Sequence, residues 1–138
     1  MLRLCFSLAV AIWLGTVVSV SFLVTPVAHF TFERVEARRF LRPIFPRYYS
    51  LGLGCGLVAL ASVALGRRGL AREELLRLTV PVAIALVTTV VATGWLLPRL
   101  RDLDGSDARF ARLHQLSAML NTATLGALVL AMAAAVAR

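Results

Sequence analysis

The sequence predicts an all-α integral membrane four-helix bundle, up-down-up-down, forming a single four-span domain over residues 1–138 with a short interfacial helix between spans one and two. Three observations predict it. Hydrophobic residues make up 59% of the chain and the mean hydropathy is +0.83, well above the roughly half-apolar composition of a soluble domain. Four windows, 4–32, 48–66, 78–98 and 113–137, contain no Asp, Glu, Lys or Arg, and each is near or above the roughly 20 residues that cross about 30 Å of hydrocarbon as a helix. The remaining charge sits at window ends or between windows, and no segment there is long enough for a second folded domain.

The first span is expected over about 4–29. Residues 1–21 resemble a signal peptide, with Arg3, an apolar run and Ser19-Val20-Ser21, but the run continues through Phe22, Leu23, Val24 and Val27, so it reads as a full span. Gly15 and Ser19 form a small-xxx-small pair, the spacing of helix packing, and Phe22 and Pro26 continue that face. Pro26 is expected to kink or end the helix.

Residues 31–47 mix Phe32, Val35, Phe40, Leu41 and Phe45 with Glu33, Arg34, Glu36, Arg38, Arg39 and Arg42. That mixture suits a helix lying in the headgroup plane. It breaks at Pro43 and Pro46, after which Arg47, Tyr48 and Tyr49 serve either as an interfacial anchor or as ligand contacts.

The second span, about 48–66, carries Gly52 and Gly56 at the GxxxG spacing that lets helix backbones approach. Such a motif signals packing and says nothing of chemistry. Gly66-Arg67-Arg68-Gly69 ends the span, and Glu73 and Glu74 then complement the dipole at the start of the third. The third span, about 77–98, tolerates Pro81 near its start, and Thr88, Thr89 and Thr93 are expected to bond their own backbone at i−4. Trp95 and Pro98 mark the interface and the stop. Asp102, Asp104 and Asp107 hint at calcium, but the Glu that an EF-hand loop needs farther on is missing.

In the fourth span, about 112–137, His114, Ser117, Asn121 and Thr124 fall on one narrow helical stripe. Polar groups are costly in hydrocarbon without a partner, so the stripe is expected to face into the bundle. Alternation of the four spans gathers His29, Arg47, Tyr48, Tyr49, Trp95, Arg112 and His114 on one face, and Arg3, Arg67, Arg68, Glu73, Glu74 and Arg138 on the other. The candidate site is therefore His114, Ser117, Asn121, Arg112, Arg47 and Tyr48. More arginines flank the histidine face, which places that face in the cytoplasm and both termini outside.

All 15 basic residues are Arg and the net charge is +8. Because they flank apolar spans, they point to anionic headgroups of a lipid bilayer and not to nucleic acid, for which no compact basic domain exists. Cys5 and Cys55 lie at different depths, so a disulfide is not expected, and both read as small core residues.

Trp13-Leu14-Gly15 with Phe22 and Pro26, then Ile44-Phe45-Pro46-Arg47-Tyr48-Tyr49, then Phe110-Ala111-Arg112-Leu113-His114 with Ser117 and Asn121, together resemble the transmembrane protein 205-like family, including its bacterial domain of unknown function 4149. The resemblance implies a four-helix membrane domain, and with it a bacterial inner membrane, and it implies little about activity. A more distant likeness to four-span copper-resistance proteins and haem-containing protoporphyrinogen oxidases rests on the tryptophan-glycine start and the bundle histidines.

Three functions follow. The first is a non-enzymatic membrane protein that binds or passes a small solute along the polar stripe, or serves resistance or membrane homeostasis, without a cofactor. The second is a haem or metal redox protein using His114 and His29 as ligands. The third is an assembly subunit or homo-oligomer in which Gly15/Ser19 and Gly52/Gly56 contact other chains. No Ser/His/Asp triad, glycine-rich phosphate loop or Cys-x-x-Cys supports hydrolase, nucleotide-binding or thiol-redox chemistry.

Overall fold

A computed structural model describes residues 1–103 and 108–137. The proposed calcium turn, with Asp104, Gly105, Ser106 and Asp107, and also Arg138, fall outside the described residues, apart from Asp102. All regular structure among the described residues is helical. The first span comprises α1 (Leu2–Ser19), a π-helical turn (Val20–Val24) and α2 (Thr25–Thr31). The short α3 (Arg34–Leu41) and the second span α4 (Ile44–Gly66) follow. After a 3₁₀ turn (Arg67–Gly69), the third span comprises α5 (Arg72–Val91), a second π-helical turn (Ala92–Leu96) and α6 (Leu97–Arg101), and the fourth is α7 (Ala108–Val136). Four helices are thus long and apolar enough to cross a membrane.

The spans extend beyond their expected limits. Helix one continues past Pro26 to Thr31, and helix three past Pro98 to Arg101. The reason is the same in both. Proline lacks an N–H and its ring meets the carbonyl four residues back, here Phe22 and Gly94. Around those residues the helix widens, so that the Thr25 N–H bonds Val20 O and the Leu97 N–H bonds Ala92 O. A π-turn lets the helix pass the proline where a kink or stop was expected. Pro46 is harmless in the first turn of α4, where an intrahelical donor is not needed.

The spans form a ring in chain order, each packed on its sequence neighbours, with the fourth closing onto the first. Packing is closer within the hairpins α1/α4 and α5/α7 than across the two seams, α4/α5 and α7/α1. The buried register is the same in both hairpins. Phe6, Val10, Trp13, Val17 and Val20 are buried, as are Leu78, Val82, Ala85, Thr89 and Ala92, each 72 positions later. Gly52, Cys55, Gly56 and Ala59 are likewise matched by Thr124, Ala127, Leu128 and Ala131. The π-turns and their prolines repeat at the same interval. So does a stretch of sequence: Val10-Ala11-Ile12-x-Leu14-x-Thr16-x-Val18 reappears as Val82-Ala83-Ile84-x-Leu86-x-Thr88-x-Val90. The molecule is two versions of one helical hairpin, in the arrangement that an approximate two-fold about the bundle axis gives.

Within that repeat the sizes are exchanged. In the first hairpin Trp13, 1% exposed, lies over Gly52 and Gly56. A Cβ on Gly52 would stand 2.5 Å from Trp13 Nε1, and one on Gly56 would stand 2.8 Å from Trp13 Cζ3 and closer still to Leu86. In the second hairpin Ala85 takes the place of Trp13, and Thr124 and Leu128 take the places of the glycines.

Candidate functional site

The polar stripe of α7 divides along its length. His114 and Arg112 are exposed, Ser117 and Asn121 are half-buried, and Thr124 is buried. At the start of α7 the stripe stays on the outer side, and only the deeper part faces the bundle. There, the Tyr48 hydroxyl donates to Asn121 Oδ1 at 2.7 Å, and Asn121 Nδ2 donates to Ser21 Oγ at 2.6 Å. Ser117 hydrogen-bonds the Tyr49 phenol, and Thr124 and Thr88 share a bond of 2.7 Å. Asn121 therefore joins spans one, two and four. Ser21 reaches it from within the first π-turn, where the widened backbone carries a short hydroxyl inward. The sequence alone does not pair Ser21 with Asn121, because the turn that aims it is set by Pro26.

Tyr48 and Tyr49 are buried, with ring centroids 4.8 Å apart. The position just inside the span makes them bundle residues and not surface anchors. Arg47 is exposed, unlike the buried Tyr48 and Tyr49 that follow it. His114 stacks on Phe110 at 5.9 Å with nearly parallel rings, and the Arg38 guanidinium covers Phe110 at 4.4 Å. That stack ties α3 to the start of α7 on the outside of the bundle. His29 is exposed at the end of α2. Among the described residues no three His, Cys, Asp or Glu side chains are grouped as a metal ion would require.

Gly52 and Gly56 are used inside the chain, as the slot for Trp13. Gly15 and Ser19 look outward: both are exposed, and a Cβ on Gly15 would meet nothing within 4 Å. Among the described residues they therefore lie on the outer side of span one, contrary to the in-bundle role that their spacing suggests. Cys5 is exposed too, so only Cys55 is the small core residue expected of both. Thr16, Thr88, Thr89 and Thr93 bond the carbonyl four residues back, as their positions in helix interiors predict.

The open space lies at the other end of the molecule. On the face that carries the chain termini, all four spans enclose a cavity of about 210 Å³ between Phe6, Ser7, Ser62, Val63, Leu78 and Ala134. Arg3 and Glu74 stand at its mouth, bridged by Arg3 Nη2 and Glu74 Oε1 at 2.5 Å. The bridge joins the two hairpins and is exposed, so it is weak and can be exchanged. Ser62 lines the cavity and its hydroxyl donates to Val58 O at 2.8 Å. Two polar ends thus exist: a filled knot around Asn121 and a lined cavity behind Arg3 and Glu74. Neither Ser7, Ser62 nor Glu74 stands out in the sequence as a site residue. The one available signal was the lack of bulk at Ser62 and Gly66, which leaves the axis unfilled at that depth.

A family model described as Domain of unknown function (DUF4149) matches residues 8–109. The match spans α1 to α6 and stops at the start of α7, before His114, Ser117 and Asn121. No curated protein and no solved structure matches the chain.

Proposed function

The chain belongs to the family described as Domain of unknown function (DUF4149), a title that assigns no activity, and we propose from its geometry that it is a non-enzymatic multi-pass membrane protein that binds a small solute at the face carrying its termini. The observation that carries this reading is the four-span cavity behind the Arg3–Glu74 bridge, which brings hydroxyls and opposite charges to an otherwise apolar axis. Intramembrane polar groups are functional candidates by default when no structural partner accounts for them. The groups around Asn121 bond one another across three spans and fill the axis, whereas Arg3, Glu74 and Ser62, bonded to each other or to their own helix, still border open space. Because the knot fills the bundle toward the opposite end, the reading is of binding from one side and not of an open channel.

A test uses single-cysteine variants in a background lacking Cys5 and Cys55, reconstituted in vesicles. Ser7→Cys, half-buried on the cavity wall, is expected to react with a small hydrophilic thiol reagent, while Thr124→Cys, buried on the polar stripe of α7, stays protected. Equal protection of both would remove the cavity from consideration. The same approach with Gly69→Cys and Asp102→Cys tests the orientation in a bacterial inner membrane: arginine asymmetry places the termini outside, so a membrane-impermeant reagent should label residue 69 and spare residue 102 in intact cells. A second reading, a contact with another membrane subunit or a second copy, is supported by the outward Gly15 and Ser19. Cross-linking through Gly15→Cys would support it, and a lone chain in native mass measurement would count against it.

A further inference from the structure

The two-hairpin construction leaves a second feature that the solute cavity does not use. At the seam between the hairpins, on the terminal-bearing side, Leu60, Val63 and Ala64 of α4 and Leu75, Leu76 and Thr79 of α5 line an apolar groove of about 360 Å³. Arg67 closes its outer end. From Arg67 to Leu60 the groove runs about 10 Å along the helix axis, or roughly the outer third of the hydrocarbon thickness.

Charge at the rim is one-sided. Arg67, Arg68 and Arg72 surround the connection between the spans and form no ion pair among the described residues. The two acids nearby, Glu74 beside Arg3 and Glu73 at 3.9 Å from Arg77, stand in exposed pairs with arginines outside the groove lining, which leaves an excess of positive charge at this end. A guanidinium fork presents paired donors to a phosphate, and a basic site between transmembrane helices beside an apolar groove is the arrangement that selects an anionic headgroup. By the 72-residue repeat Ala64 corresponds to Val136, which is 68% exposed, so a small residue stands on the groove wall where the other hairpin carries an outward β-branched one.

We propose that this groove holds one acyl chain of an anionic phospholipid, with the headgroup phosphate on Arg67. The site is separate from the solute cavity, sharing only the Val63 wall with it. It therefore stands or falls independently of that reading.

The experiment uses the full chain in bilayer discs of phosphatidylcholine containing a minor fraction of phosphatidylglycerol, with retained lipid counted by native mass spectrometry after transfer to detergent. Arg67→Gln is expected to lower the retained phosphatidylglycerol about five-fold relative to phosphatidylcholine. Ala64→Leu, which fills the groove, should lower it as much, and Arg68→Gln, outside the groove lining, should leave it nearly unchanged. If Ala64→Leu fails to fold by circular dichroism, Ala64→Val supplies the residue found at the equivalent position of the other hairpin. Equal losses in Arg67→Gln and Arg68→Gln with no effect at residue 64 would reduce the site to diffuse surface charge and overturn the proposal. So would displacement of the lipid by millimolar inorganic phosphate, because an anion site without a chain site would then suffice.

Discussion

Asn121 is the side chain on which contacts between three spans converge, and its effect is local. Replacing it by Ala removes two hydrogen bonds and strands the Tyr48 and Ser21 hydroxyls. Individual bonds of this kind in membrane bundles contribute about 0.6 kcal/mol on average and up to about 1.7. Asn121→Ala is therefore expected to cost about 1–3 kcal/mol and Tyr48→Phe about half as much, measured by unfolding in mixed detergent and denaturing micelles. His114→Ala should change stability by less than about 0.5 kcal/mol, since the ring is exposed and only stacks on Phe110. A loss at His114 as large as at Asn121 would mean that the imbalance between the two ends of the stripe is misread. The tight site is elsewhere. Gly56→Ala must displace both Trp13 and Leu86, an overpacking that costs roughly 1–3 kcal/mol, whereas Gly15→Ala meets open space and should be neutral or slightly stabilising. From the sequence, the paired spacings Gly15/Ser19 and Gly52/Gly56 look alike. What separates them is which helix face turns inward, and that depends on a distant tryptophan.

At the scale of elements, the prolines decide how far each span runs, and α3 forms a separate short helix between the first two. Four helices, their order and the separate α3 were legible because apolar length and charge placement respond to the solvent, here hydrocarbon and its interface, without reference to neighbours. The span limits were less so. Pro26 and Pro98 read as stops, yet a widened turn ahead of each absorbs the missing donor, so the helices run on for several residues. Pro26→Ala is expected to restore α-helical bonding over residues 20–24 and to rotate Ser21 away from Asn121. Accordingly, Asn121→Ala made in a Pro26→Ala background should cost less than in the parent, a coupling measurable by double-mutant cycle. Simple additivity of the two would show that the turn does not position Ser21. The helix α3 is held differently, by Arg38 over the Phe110 ring and by the tilted Phe32–Phe40 pair. Cation–π contact at an exposed site contributes only about 0.5–1 kcal/mol, so Phe110→Ala should speed proteolysis near α3 and leave the bundle folded.

The whole molecule is two hairpins whose internal packing is closer than the packing between them. Chains covering residues 1–70 and 71–138, expressed together, are therefore expected to co-purify as a complex held by the Tyr48–Asn121–Ser21 knot, and Asn121→Ala should weaken that recovery. Failure of the halves to associate in any form would show that the connection, not the interface, holds the seam. The 72-residue repeat is present in the sequence as Val10-Ala11-Ile12 and Val82-Ala83-Ile84, but exchanging Trp13 and Gly52 for Ala85 and Thr124 hides it from inspection of composition. The candidate site was legible in part for a related reason. Periodicity identified Asn121 and Ser117 as inward and Tyr48 as nearby, yet periodicity of one helix cannot report where along it the stripe turns to the outer side, so His114, Arg112 and Arg47 were grouped with them. What the sequence determined by itself is the solvent: uncharged lengths sufficient to cross a bilayer, arginines at their ends, and hence a helical bundle of four spans. Only the tertiary structure decided which polar groups are mutually satisfied and which border open space. Hydrogen-bond partners such as Ser21 and Asn121, 100 residues apart, and a cavity between Phe6 and Ala134 are properties of helices brought together in three dimensions, and no single span encodes them.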